Sequence, residues 1–558
     1  MIKKEISNLI EKAIKKNQEQ GIFPVFSISE ILVAKPEEKI FGDYSTNAAM
    51  VIAKQIKKNP LEIAENLKSE ILNLPMRPNP LMLSLRALSR QAIGKAKIFD
   101  KVEIKKPGFL NFFLSEEYLQ KQVGEILKQD DNFGNLKIGK HKKINIEFIS
   151  ANPTGPLTLG NGRGGFCGDV LANVLEKVSC KIIKEYYVND VGEQVKKLGH
   201  SVIGDSEAVY KGDYIYDLRK KIKGNDSEKI GEQAAKIILE KIIKPTIKKM
   251  GIKFDVWFSE KNLYKEKECD KILEQLKNKN LTYENQGALW FKTTDFGDDK
   301  DRVLIKADKQ MTYFASDIAY LKNKFKRGFD KLIYFWGADH YGYIDRLKAA
   351  AEALGYKKEQ INVIIMQMVR VFENGKETRM SKRSGVYITL DELIDEVGLD
   401  VSRFFFLTRS PDTHLNFDLN LAKECSAKNP VFYIQYAFAR IHSILAKSKI
   451  KNQKSKIQLK IKNLKLLNHP SESDLIKQLI RFPEIIEDIV KDYQVQRLPV
   501  YALELVASFH KFYEDCRVIS DIASEKELTQ SRLALVLATK IVLKNTLDLM
   551  GISAPQKM

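Results

Sequence analysis

Residues 151 to 165 read ANPTGPLTLGNGRGG. The stretch follows a strand-like run, KKINIEFIS. It precedes a run in which Phe166, Val170, Val174 and Val178 recur every four residues, the spacing of one helix face. A loop that enters a helix from a strand offers unpaired backbone N–H groups and the positive end of the helix dipole, both of which favour an anion. Gly155, Gly160 and Gly162 allow close backbone approach, and Thr158 and Asn161 add uncharged donors. The implied chemistry is the holding of a phosphate chain without histidine or lysine. A glycine-rich turn that merely packs strand on helix is the competing reading.

A second stretch supplies charge. ETRMSKRSG, 377 to 385, sets Arg379, Lys382 and Arg383 on a Ser/Gly-flanked loop after the last apolar run. A solvated basic turn is the ordinary explanation. At the C-terminal edge of a sheet, however, these cations would face the first loop and clamp a triphosphate from the other side. Phosphoryl chemistry depends on charge positioned in this way.

A third stretch is acidic and aromatic. In MTYFASDIAYLKNKF, Tyr313 and Asp317 are four apart and share a face if the segment is helical. Glu147 lies inside the first strand-like run, Asn152 just after it, and His340 within GADHYGY. Taken singly, each has a bland structural explanation. Their joint placement around one sheet edge would make a site.

The elements that must position these residues fall into three regions. Residues 1 to about 115 mix helix and strand signals and close with KIFDKVEIKKPGFLNFFLS, a strand, a Pro-Gly turn and a strand. Within them, residues 75 to 94 carry three prolines near their start and no lysine, and read as an insertion. Residues 116 to about 425 alternate strand and helix. KIIKEYYVND, DKLIYFWGAD and QINVIIMQMVRVF read as buried parallel strands, and a polar helical insertion spans about 193 to 285. From 426 to 558 the strand signals fade, and YALELVASFHKFYEDCRVI and SRLALVLATKIVLKNTLDLM carry helical stripes. The fold class expected is α/β, a doubly wound sheet flanked by an α+β N-terminal region and an all-α C-terminal one.

Bulk composition narrows the classes. No apolar run reaches the ~18–20 residues needed to span a bilayer, and the N-terminus has no secretory apolar block. Five scattered cysteines without a CxxC argue against a zinc site or a disulfide framework and fit a reducing cytoplasm. The net charge of +20 would attract a polyanion, although lysine is abundant throughout the chain.

An ordered series of motifs then narrows the reading. GDYSTNAAM, PGFLNFFLS, EFISANPTGPLTLGNGRG, YYVNDVGEQV, WGADHYGYIDRLKAA, RMSKRSG, NPVFYIQYAFARI and the terminal GISAPQKM together resemble the arginyl-tRNA synthetases, class I aminoacyl-tRNA synthetases, over nearly the whole chain. The resemblance implies a Rossmann-like catalytic domain, an N-terminal domain that touches the tRNA elbow and a C-terminal anticodon-binding domain. It implies ATP-dependent activation of L-arginine to arginyl-adenylate, then transfer to the 3′ end of tRNA(Arg), with bound tRNA usually needed for the first step. Mg²⁺ would accompany ATP, and no zinc, no membrane and a monomer are expected.

By the same resemblance, the HIGH motif falls on Thr158-Leu159-Gly160-Asn161 and the KMSKS motif on Arg379-Met380-Ser381-Lys382-Arg383. Thr158, Gly160, Asn161, Arg379 and Lys382 are the implied catalytic residues, with Met380, Ser381 and His340 also on ATP. Glu147, Asn152, Tyr313, Asp317 and His340 would hold arginine, and Gln435, Tyr436 and Arg440 the tRNA. Phe438, Phe512 and Tyr513 are further stacking candidates, although helical spacing favours the core for most of them. Both histidines of the HIGH motif are absent. Thr and Asn donate hydrogen bonds but cannot become cationic, and a charged donor is worth roughly twice a neutral one. A tRNA-binding homologue without activation, and a class I synthetase for another amino acid, are the alternatives.

Overall fold

The computed structural model describes residues 1–27, 30–73, 98–378, 389–448 and 461–558. The strand-like runs from residue 143 onward assemble into one parallel sheet of five strands. These are β1 (Lys143–Glu147), β2 (Lys181–Val188), β3 (Val256–Ser259), β4 (Lys331–Gly337) and β5 (Ile361–Met366). Their spatial order is β5-β4-β1-β2-β3, every pair parallel. Chain order reverses between β1 and β4, and in such sheets the crevice at the reversal is where ligands bind.

Helix α1 (Leu159–Lys177) leaves the loop after β1 at this crevice. It is buried almost continuously from Gly162 to Leu175. Its glycines are needed for that close approach: a Cβ on Gly168 would lie 2.5 Å from the Phe148 ring, and one on Gly165 2.9 Å from Ile149. Helix α2 (Tyr313–Lys326) covers the opposite sheet face through Phe314, Ile318 and Leu321.

Two expectations are corrected. The stretch from 193 to 285 is not wholly an insertion, because β3 lies inside it and completes the sheet beside β2. Its polar helical flanks hide a strand of only four residues. QINVIIMQMVRVF is likewise two strands. Ile361–Met366 joins the parallel sheet, whereas Val369–Glu373 pairs with Lys376–Thr378 and Leu415–Asp418 in a separate sheet. The basic loop therefore follows an antiparallel hairpin rather than a parallel strand.

The N-terminal region is a four-stranded antiparallel sheet with helices Ile2–Glu19, Ala48–Ile56 and Pro60–Asn73. The C-terminal region is helical and includes α4 (Pro430–Lys447), α5 (Arg497–Asp515) and α6 (Lys526–Met550). Asn429 caps α4 by accepting from the Val431 N–H at 3.0 Å, with Pro430 in the first turn. Helix Glu116–Gln129, read with the catalytic region, touches these helices instead: Gln120 donates to the Leu467 carbonyl at 3.0 Å. The N-terminal region is tied to the same helices by buried Glu484, which accepts from the Lys3 N–H at 3.0 Å and the Tyr44 hydroxyl at 3.1 Å. The insertion at 75–94 lies outside the described residues.

Candidate active site

β1 delivers Glu147 to the sheet's C-terminal edge and then turns sharply. Ile149 (φ +67°) and Ser150 (φ +36°) both sit in the left-handed region, which is costly for a β-branched residue. Ser150 Oγ accepts from the Tyr187 N–H at 3.1 Å, and the Tyr186 hydroxyl donates to the Ala151 carbonyl at 2.8 Å. The strained turn is thus pinned to β2, and Asn152 emerges exposed beyond it.

At the start of α1, Thr158 and Asn161 close on each other. The Thr158 N–H and hydroxyl both donate to Asn161 Oδ1 at 2.9 Å, and the Asn161 N–H donates to Thr158 Oγ1 at 3.4 Å. This is a capping box with Asn in the usual Glu/Gln position. Within it the Thr158 hydroxyl proton is given to Asn161. Asn161 keeps its Nδ2 donors beyond the cap. Gly160 is exposed, and a Cβ there would meet only Thr158 Oγ1 at 3.7 Å. No packing demand calls for that glycine, while its absent side chain leaves the first N–H groups of the helix open.

Across the crevice, Tyr313 and Asp317 are one turn apart on α2, as their spacing required. Tyr313 is half exposed at the helix start. Asp317 accepts from the Tyr343 hydroxyl. Burial lifts its pKa to about 6; the Tyr343 bond opposes the rise, and the Glu147 charge adds to it.

The sequence reading missed a third carboxylate, Glu260. It follows β3 and is 1% exposed. Burial, and then the Asp317 charge, raise its pKa to about 7. In the amide orientation that satisfies both its ends, Asn189 donates to Glu260 Oε2 at 2.9 Å. Tyr187 stands among Glu260, Asp317 and Glu147, and burial followed by their charges keeps it a phenol. Its ring packs on Tyr320 at 4.6 Å, and Tyr320 packs on Phe258 at 4.6 Å, giving the acids an aromatic floor. Among the described residues neither Asp317 nor Glu260 has an ion pair. A buried and a partly buried carboxylate beside phenols and flat rings suit a planar, multidentate cation. Only β3 could have revealed Glu260, and that strand was hidden in the polar stretch.

Glu147 plays a different part. Tyr334, Glu147 and Glu185 are register neighbours across β4, β1 and β2. The row meets Tyr320, Lys324 and Arg327, which project together from α2 and its C-cap. Lys324 donates to Glu147 at 2.5 Å, and Arg327 grips Glu185 with two bonds of 2.7 and 2.8 Å. Burial would push Glu185 up, but Lys324 and Arg327 outweigh it and hold its carboxyl below the ordinary range.

His340 lies in a turn just after β4, exposed, with its ring 6.2 Å from Trp336. Arg379, Met380, Ser381 and Lys382 lie outside the described residues.

The family models match three segments. They are "Arginyl tRNA synthetase N terminal domain" over residues 2–76, "tRNA synthetases class I (R), catalytic domain" over 203–405 and "DALR anticodon binding domain" over 434–558. The arginine–tRNA ligase of Caldanaerobacter subterraneus subsp. tengcongensis is 41% identical, over 100% of this chain and 99% of that protein. The chain belongs to the arginine–tRNA ligases. The Bacillus subtilis arginine–tRNA ligase is 40% identical over 100% of this chain and 98% of its own length. A putative arginyl-tRNA synthetase from Campylobacter jejuni superposes with a TM-score of 0.71 at 33% identity, over 80% of this chain and 100% of that one. The Thermus thermophilus arginyl-tRNA synthetase shares the fold at a TM-score of 0.74 and 20% identity, with 100% of both chains covered. As a class I aminoacyl-tRNA synthetase, the ligase uses ATP. No helix among the described residues is long and apolar enough to cross a membrane.

The ligase's C-terminal helices present a separate surface. On α4, the Phe432 and Tyr436 rings are parallel within 6° at 6.5 Å. Arg440 donates to the Tyr436 hydroxyl at 2.6 Å and lies 4.8 Å over that ring and 5.3 Å over Tyr513. Tyr436 is 40% and Tyr513 39% exposed, whereas Phe438 and Phe512 are core. Gln435 is bonded within the protein: its amide donates to Asp400 Oδ2 at 2.8 Å and to the Ser553 carbonyl at 3.1 Å.

Proposed function

We propose that this arginine–tRNA ligase holds the guanidinium of L-arginine between Asp317 and Glu260, with Tyr313 and Tyr187 at its edges. The supporting observation is a buried carboxylate, Glu260, beside a partly buried one, Asp317, neither with an ion pair among the described residues. A bound guanidinium would offset one of the two negative charges and lower the pKa values of both acids. Asn152 and His340 would reach the α-amino and carboxyl groups, and Glu147 would act through its charge while paired with Lys324.

The triphosphate would lie against the start of α1, over Gly160, with Asn161 Nδ2 donating to it. Mg²⁺ comes with ATP as part of that substrate, and the reading calls for no zinc. The arginine carboxylate attacks the α-phosphorus, and the bond to the β-phosphate oxygen breaks to release pyrophosphate. By family resemblance, Lys382 and Arg379, with Met380 and Ser381, close on the leaving group and offset its charge. A terminal hydroxyl of the tRNA then attacks the arginyl carbonyl carbon, and AMP leaves. The Phe432–Tyr436–Arg440–Tyr513 surface would stack anticodon bases. We place this work in the cytoplasm, by a monomer.

Arginine-dependent pyrophosphate exchange with cognate tRNA tests the reading. Asp317→Asn should raise the KM for arginine at least about 100-fold, the loss of a charged bond in a dry site. An unchanged KM removes Asp317 from the pocket.

A further inference from the structure

Asp169 and Asn173 stand one turn apart on α1, on a face that serves none of the substrates. Asp169 receives Arg403, which is 2% exposed and projects from α3 (Leu399–Leu407). Both terminal nitrogens of Arg403 donate to Asp169 Oδ2, Nη1 at 3.0 Å, and Nε donates to the carbonyl of Met550, the last residue of α6, at 3.3 Å. Asn173 Nδ2 donates to the neighbouring Leu549 carbonyl at 3.1 Å. Lys184 binds the other oxygen of Asp169 at 2.7 Å and Asn173 Oδ1 at 3.3 Å. Gly551, at φ +66°, is obligatory here, since a Cβ would fall 2.6 Å from the Arg403 guanidinium carbon. Three residues before Arg403, Asp400 accepts from the Ser553 N–H at 3.0 Å and from Gln435 on α4. Asp400 and Arg403 thus grip the end of the helical domain from two sides, and Arg403 passes the grip to α1.

α1 is a 19-residue helix capped by Thr158 and packed along most of its length. A helix packed in this way would transmit a displacement at one end to the other, because packed interiors transmit strain. Separating Arg403 from Asp169 would leave a charge buried without its partner, so the α6 terminus and α1 shift together. We propose that Arg403 is a positioning residue: it sets the triphosphate-binding start of α1 according to where the RNA-reading helices sit. The step acts on adenylate formation, not on RNA affinity. The inference rests on the proposed role of the α1 N-terminus.

The test uses the full chain with saturating cognate tRNA. Arg403→Met should lower the kcat of pyrophosphate exchange at least tenfold and Asn173→Ala two- to fivefold, while Arg403→Lys recovers part of the loss. The tRNA Kd and the arginine KM should stay within twofold. Thr539→Val, on α6 but bonded only to its own Leu535 carbonyl, is the destabilised control, with kcat expected unchanged. Asn173→Ala combined with Asn161→Ala should cost less than the product of the single effects. Full kcat in Arg403→Met and Asn173→Ala, or tRNA affinity falling in step with kcat, overturns the proposal. If Arg403→Met does not fold, Asn173→Ala and Arg403→Lys decide it. A silent Asn161→Ala would remove the phosphate role of the loop alone, and the kcat and Kd of the Arg403 variants would still be read independently.

Discussion

Lys324 Nζ lies 2.5 Å from Glu147 Oε2, joining α2 to β1 in a part of the interior where both residues are buried. The same ammonium sits 4.2 Å from the Tyr334 ring and 4.5 Å from the Tyr320 ring. Glu147 is therefore already paired with a cation of the protein. In the proposed pocket, direct contact with the substrate cation falls to Asp317 and Glu260, although the three acids share one end of the sheet.

Removing one partner of this pair should be costly. Lys324→Met strands Glu147 and should destabilise the protein by about 3–5 kcal/mol in urea unfolding. Adding Glu147→Gln should restore most of that loss. Equal stability of the single and double variants would show that the pair contributes little.

Arginine binding should strengthen as pH rises. Glu260 titrates near 7 and Asp317 near 6, and in the proposed pocket both would bind the guanidinium only when ionised. Calorimetric affinity should fall at least about tenfold from pH 8 to pH 5.5. In the free protein the sign is opposite. These raised pKa values favour the folded state at low pH, and that contribution is lost as pH climbs from the ordinary carboxyl range through 7. Glu260→Gln should therefore stabilise the arginine-free protein at pH 8 by roughly 1–3 kcal/mol while weakening arginine binding. A flat affinity profile argues against both acids as the guanidinium partners.

Asn161 has two separable duties. Its Oδ1 caps α1, and its Nδ2 faces the proposed phosphates. Asn161→Asp keeps the cap acceptor and loses the donor, so thermal stability should hold while exchange drops more than about tenfold. Asn161→Ala should lose about 1 kcal/mol of stability as well as rate. An Asp variant with the parental rate would assign Asn161 to the cap alone.

Tyr436→Ala should weaken tRNA binding about 5- to 100-fold, the range for one stacked base, with arginine KM unchanged. Phe438→Ala, a core truncation, should instead cost about 3–5 kcal/mol of stability. Filter binding and urea unfolding separate the two. Undiminished tRNA affinity in Tyr436→Ala would take the aromatic surface out of RNA recognition.

The sequence by itself determined whatever depends on neighbours along the chain. The strand–loop–helix around Thr158 to Asn161, the shared face of Tyr313 and Asp317, and the helical stripes of the C-terminal region are all periodicities of contiguous residues. Tertiary structure decided which side chains were left free. Glu147 meets Lys324 across 177 residues, and Arg403 meets Asp169 across 234. Gln435 meets Ser553 across 118 residues, and Glu260 enters the site only because a four-residue strand docks at the sheet edge. Residue type and local spacing show what a side chain can bond. Whether that capacity is spent inside the protein depends on partners that only long-range packing brings near.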